Sequence, residues 1–188
     1  MARFDVDDLI SRCIEAASDP EPRTATREVL TRAVADADDV TRVLAPSEGG
    51  LGLLYNTPEL TIINIVWAPA MTLLPHDHRM WAAIGIYAGR EDNMFFRRDP
   101  DQRTRIVETN GKTLDERDVV LLGDDVIHSV HNPLSRLTGA IHVYGGDFVR
   151  QPRSQWGPGA REEQPFDLDF VTREFADANE RAGLGGHA

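Results

Sequence analysis

Five of the six histidines fall between positions 76 and 142, and only His187 stands outside that stretch. His76 and His78 are separated by one residue, so on a β-strand both imidazoles leave the same face, within reach of one metal ion. A His-x-His pair alone is weakly informative and needs a third ligand. His128, in the string Gly123-Asp124-Asp125-Val126-Ile127-His128-Ser129-Val130-His131-Asn132, supplies one from a later strand. Three strand-borne imidazoles occupy one face of a mononuclear site and leave the opposite coordination positions open. His131, three residues past His128, has the opposite strand parity and is expected to face outward or cap a turn.

The elements that must carry these residues belong to a chain of ordinary globular type. Its 188 residues suffice for one domain, and 41% apolar with 27% charged residues disfavours disorder, a collagen-like fibre or a coiled coil. The formal net charge of −11 would repel a phosphate backbone, so nucleic acid is not an expected partner. Cys13 is the single cysteine, which excludes an intramolecular disulfide and a multi-cysteine zinc site and fits a reducing cytoplasm. The opening MARFDVDDLI has acids where a signal peptide would put its apolar stretch, and no window has the length of apolar chain a membrane span needs. A cytoplasmic protein with no membrane partner is the expectation.

Three segments are anticipated: a helical region over residues 1–46, a β core over 51–150 and an extension over 151–188. Phe4, Val6, Leu9, Ile10, Cys13, Ile14 and Ala17 follow helical spacing after Asp5. A second helical pattern runs from Val29 through Leu44, with Thr24 or Thr26 as caps, before PSEGG at 46–50 breaks it. Eight short β-rich runs follow, at 53–55, 60–68, 80–88, 94–98, 104–109, 118–123, 126–130 and 137–146. Gly89-Arg90-Glu91-Asp92, Asn110-Gly111 and Asn132-Pro133 punctuate them as turns, Asn-Gly being the strongest hairpin signal. This pattern predicts a mainly β jelly roll or barrel with two N-terminal helices. After an irregular stretch, a short C-terminal helix carries Phe170, Val171, Phe175 and Ala178 and ends in a fraying Gly-rich tail.

Residues 75–89 (PHDHRMWAAIGIYAG) resemble the first cupin motif and residues 123–132 (GDDVIHSVHN) the second, in which a histidine is followed after three residues by asparagine, as His128 is by Asn132. The likeness spans about residues 60–150 and implies a double-stranded β-helix. The general cupin pattern adds a glutamate four or five residues after His-x-His, but Trp81, Ala82, Ala83 and Ile84 stand here. A cupin with three histidines and no such glutamate resembles the thiol dioxygenases, the group of cysteine dioxygenase and 3-mercaptopropionate dioxygenase. That resemblance implies iron(II) held by His76, His78 and His128, with a small thiol and dioxygen as reaction partners and a sulfinate as product. Those enzymes carry a Ser-x-His-x-Tyr string; Ala140-Ile141-His142-Val143-Tyr144 keeps the His and Tyr and has Ala for Ser. The last member of that relay is therefore missing, while His142 can still orient Tyr144.

Residues 47–57 contain no Arg or Lys to match the substrate arginine of the animal enzymes, whereas Arg153, in VRQPRSQW, stands at a place matching the arginine of the bacterial 3-mercaptopropionate dioxygenases. A guanidinium fork suits a carboxylate. A 3-mercaptopropionate-like acid is thus the expected substrate, ahead of cysteine. Cys13 does not match the cysteine that crosslinks to tyrosine in the animal enzymes, so Tyr144 should be unmodified. Plainer roles stand beside these: His142 as a satisfied core histidine, Arg153 paired with a surface acid, Arg79 in an exterior salt bridge, Trp81 and Trp156 in packing, and Asp124-Asp125 capping a turn. Two rival functions also fit: a three-histidine cupin that cleaves a C–C bond of a diketone-like substrate, and a non-catalytic cupin that binds a metal or small molecule. The sequence does not fix the oligomeric state.

Overall fold

The run Thr61-Ile62-Ile63-Asn64-Ile65-Val66-Trp67 is apolar on both faces, and a strand of that kind must be covered on both sides. In the computed structural model, which describes residues 3–44, 46–157 and 162–185, both faces are covered. It forms β2 (Thr61–Trp67) in a five-stranded antiparallel sheet ordered β1-β2-β9-β4-β7, with β1 (Gly50–Asn56), β4 (Ala82–Ala88), β7 (Val119–Leu122) and β9 (Thr138–Tyr144). Ile63, Ile65 and Trp67 face inward, while Ile62 joins an outer cluster with Ala83, Ile141 and Val143.

That outer cluster lies under α1 (Val6–Ala17), α2 (Pro22–Val34) and α3 (Ala37–Leu44), which contribute Leu9, Cys13, Leu30, Val34 and Val40. Asp5 caps α1 through the backbone N–H of Asp8, 2.9 Å away. The single second helix anticipated over Val29–Leu44 is two helices, so among the described residues three precede the β core. Neither Thr24 nor Thr26 caps α2: Pro22 opens it, and Thr26 is buried within it.

The second sheet has six strands ordered β11-β10-β3-β8-β5-β6: β3 (Thr72–Asp77), β5 (Arg90–Arg98), β6 (Ile106–Asp115), β8 (Ile127–His131), β10 (Ser154–Trp156) and β11 (Glu163–Pro165). The inner faces of the two sheets enclose the main core, and α4 (Leu168–Arg181) closes one end with Val171, Phe175 and Ala178. The architecture is the mainly β jelly roll expected. His187 and the end of the Gly-rich tail lie outside the described residues.

Two turn assignments are corrected. Asn110-Gly111 lies inside β6, where Gly111 pairs with Met94 but Glu108 pairs with Phe96, so one extra residue is absorbed as a bulge. The β5–β6 turn lies instead around Asp99–Arg105, where the Asp99 N–H donates to the Arg105 carbonyl at 2.9 Å. Gly89, at φ +81°, does turn the chain; a side chain there would collide with Thr138. Arg90, Glu91 and Asp92, however, already belong to β5.

Candidate metal centre

Between Leu73 and His76 the β3–β8 ladder slips register, after which His76 lies directly across from His128. His78 follows the end of β3 yet still turns its ring to the same side, with ring centroids 5.0 Å from both His76 and His128. All three are nearly fully buried, and one nitrogen from each lies within 4.8 Å of the others. Strand geometry therefore brings together the three histidines singled out by spacing.

Hydrogen bonding decides which nitrogens face one another. His76 Nδ1–H donates to the Leu74 carbonyl at 2.9 Å, and His128 Nδ1–H donates to Asn93 Oδ1 at 2.6 Å, which leaves Nε2 of each with its lone pair free. His78 Nε2 and His128 Nε2 are 3.4 Å apart, and His78 Nδ1 has no hydrogen-bond partner among the described residues. A metal bound at roughly 2.0–2.1 Å from each imidazole would space two ligand nitrogens about 3.0–3.4 Å apart. The His78–His128 pair has that spacing, and the set as a whole, within 4.8 Å, would draw in around an ion. Burial holds the imidazoles neutral: His76 is pushed down to about 4, with the Arg153 charge adding to the effect, and His78 and His128 fall well below the usual histidine range, the neighbouring imidazoles adding to it there.

Across the interior, β9 presents His142 and Tyr144 on one face. His142 Nδ1 is 3.0 Å from the Tyr144 hydroxyl, and the Tyr144 ring stands edge-on to His78 at 5.0 Å. Burial raises the phenol far above its ordinary value and lowers His142 to about 3. Ala140, on the same strand face, offers only a methyl. The polar group opposite His142 Nε2 is Glu91, whose Oε2 lies 3.8 Å away, longer than a hydrogen bond. Glu91 and Asn93 escape sequence reasoning as site residues, because Gly-Arg-Glu-Asp has the composition of a solvated turn.

Arg153 is 8% exposed, and its guanidinium carbon lies 4.0 Å over the Phe148 ring and 3.8 Å over the Phe166 ring. Nη1 donates to the carbonyls of Phe148 and Gln151, Nε has no partner, and no ion pair to Arg153 occurs among the described residues. Desolvation lowers the guanidinium to about 10. This is not a surface arginine paired with an acid. Its field reaches Tyr144, His76 and His78, and the two rings it lies over, Phe148 and Phe166, line the cavity at the metal centre while Arg153 itself does not.

The remaining residues considered have structural partners. Arg79 bonds Asp77 at 2.8 Å and approaches Glu163 at 3.8 Å. His131 Nδ1 lies 2.9 Å from Thr72 Oγ1 and 3.2 Å from the Met71 carbonyl. Asn132 ties its turn to Trp67, Ala68 and Arg136 through its side-chain N–H groups. Asp124 pairs with Arg23, and Trp156 is fully buried under Arg98.

A cavity of about 20 Å³ at the cluster is lined by His76, His78, His128, His142 and Tyr144 together with apolar side chains that include Leu73, Phe148, Phe166 and Val171. It has room for about one water-sized ligand. A larger ligand must displace an aromatic neighbour; Phe166, between β11 and α4, closes the side nearest Arg153.

The buried imidazoles carry a pH signature. His76, His78, His128 and His142 all bind protons more weakly in the folded chain than in the unfolded one, where 6.5 is the ordinary value. Between pH 6.5 and about 4 the unfolded state therefore takes up more protons, and acid favours unfolding. Glu91 and Asp77, both raised by burial, act in the opposite sense, but four imidazoles outnumber two carboxyls. Urea unfolding of metal-free protein is expected to show a lower midpoint at pH 5 than at pH 7. An unchanged midpoint would contradict neutral buried imidazoles.

No family model matches the chain. Solved structures of similar shape include a cupin with a double-stranded β-helix from Methanocaldococcus jannaschii, at 14% identity and a TM-score of 0.45 over 56% of this chain and 86% of that one. A cupin-superfamily protein from Desulfitobacterium hafniense is similar at 13% identity and a TM-score of 0.42, over 52% of this chain and 77% of that one. An oxalate oxidase bound to glycolate is similar at 13% identity and a TM-score of 0.42, over 54% of this chain and 52% of that one.

Proposed function

We propose that this protein is a cytoplasmic non-haem iron(II) dioxygenase that oxidises a small thiol acid, of 3-mercaptopropionate type, to its sulfinate. The observation that carries the reading is the convergence of three buried, neutral imidazoles with Tyr144 beside them and a buried guanidinium without an acidic partner among the described residues against Phe148 and Phe166 of the cavity lining. His76, His78 and His128 would hold iron, which when bound supplies the one-electron chemistry that lets dioxygen react with a thiolate. No second organic cofactor is required.

The chain's own residues have separate tasks. The phenol of Tyr144 keeps its proton through the physiological range, and His142 Nδ1 holds the hydroxyl in one orientation, so a hydrogen-bond partner is fixed beside the reacting atoms. Phe148, Phe166 and Val171 exclude water. Arg153 would receive the substrate carboxylate when Phe166 gives way, its Nε offering an N–H that no group among the described residues uses. Among the described residues no carboxylate lines the cavity to receive an ammonium, which favours a mercapto acid over cysteine.

Oxygen uptake by the iron(II)-loaded protein tests the reading. It is expected to be fastest with 3-mercaptopropionate, slower with cysteine and cysteamine, and absent with acetylacetone. Uptake with acetylacetone alone would select the C–C cleaving reaction, and silence across the panel would favour a binding protein.

A further inference from the structure

Glu91 is fully buried on β5, two residues before Asn93 and on the same strand face. A carboxylate in such a place must be held by donors. Its Oε2 accepts from Trp67 Nε1–H at 2.7 Å, and its Oε1 accepts from the Asn93 amide N–H at 2.9 Å. The other end of that amide, Oδ1, accepts from His128 Nδ1–H at 2.6 Å. The three links form one line from the Trp67 indole through the carboxylate and the amide to a candidate metal ligand. We infer that Glu91 is the positioning residue of the metal centre: by holding the amide of Asn93 in one sense, it keeps the proton of His128 on Nδ1 and leaves Nε2 free to bind metal. The inference rests on the reading of His128 as a ligand and extends it to two residues that do not touch the ion.

The donor order makes the inference specific. An indole N–H can only donate, and so can an amide NH2 group. In Glu91→Gln, Trp67 claims the one remaining side-chain oxygen, so the new NH2 meets the NH2 of Asn93. The Asn93 amide is then driven to turn over and present its NH2 to His128 Nδ1. His128 can accept that bond only by carrying its proton on Nε2, the atom 3.4 Å from His78 Nε2. Metal binding should suffer although no ligand has changed.

Asn93→Asp, added to Glu91→Gln, restores the order, because the introduced glutamine donates to one oxygen of the introduced aspartate and the other oxygen accepts from His128 Nδ1–H. Zinc(II) titration against a competing chelator is expected to show affinity falling about 10–100-fold in E91Q, the range for losing a partner behind a ligand, and returning to within about threefold of the parent in E91Q/N93D. Undiminished affinity in E91Q would overturn the inference, and so would a loss that the double variant does not repair. Imidazole ¹⁵N shifts of the metal-free parent protein give a second reading that needs no variant. They should show His128 protonated on Nδ1; protonation on Nε2 would overturn the inference even if no metal bound to the parent.

Discussion

His128→Ala is expected to abolish stoichiometric metal binding while leaving the jelly roll intact. The imidazole is 1% exposed, lies across the ladder from His76 and presents Nε2 to His78 Nε2 at 3.4 Å, so its loss removes one of three converging nitrogens. Losing a partner behind a ligand typically weakens metal binding about 10–100-fold, and losing the ligand itself should exceed that range. The fold should survive, because the core between the sheets rests on Ile63, Ile65, Trp67, Ile84, Ile86 and their neighbours, and most single substitutions cost about 0.5–3 kcal/mol. His131→Ala is the matched control: that ring is held by Thr72 and Met71 away from the cluster and should leave affinity unchanged. Calorimetric titration with circular dichroism on the same samples reads both effects. An H128A protein that still held one tight ion would remove His128 from the site.

Arg153→Met should raise KM for a mercapto acid steeply and leave an uncharged thiol such as cysteamine nearly unaffected. Methionine keeps apolar bulk between Phe148 and Phe166, so the change isolates the charge from the packing. A charged hydrogen bond contributes about 1.5–3 kcal/mol, which corresponds to a loss in kcat/KM of roughly 10–150-fold. The guanidinium is free for this task because it has no acidic partner among the described residues, whereas Arg79 and Arg98 are occupied by Asp77 and Glu163. Equal losses for the two thiols would contradict a carboxylate anchor and leave Arg153 a packing residue.

These two predictions draw on different parts of what the sequence makes legible. The ligand set is visible because His-x-His on a strand and a histidine on a later strand are local signals, and the strand pairing only has to bring them side by side. Arg153 is visible only by resemblance, and its sandwich between two phenylalanines depends on chain folding back from β11. Composition hides Glu91 and Asn93: acids and an asparagine after glycine read as a solvated turn, yet the turn is confined to Gly89 and both side chains point into the core. Likewise Asn110-Gly111 has hairpin chemistry but is absorbed as a bulge, because β5 continues past it on the partner side. β3 does not stand out as a strand, since Pro75 and the charged residues after it interrupt the apolar pattern, and β10 and β11, of three residues each, are too short for periodicity to show. A helix is legible where its apolar stripe is long, as in α1, and its limits blur where two stripes run on in phase across the break between α2 and α3.

The most direct measurement is mass spectrometry of the product formed from 3-mercaptopropionate by iron(II)-loaded protein under ¹⁸O-labelled dioxygen. A dioxygenase should deliver a sulfinate carrying both labelled atoms, with one dioxygen consumed for each sulfinate formed. A product with one labelled oxygen or none, or a disulfide in place of the sulfinate, would contradict the assignment.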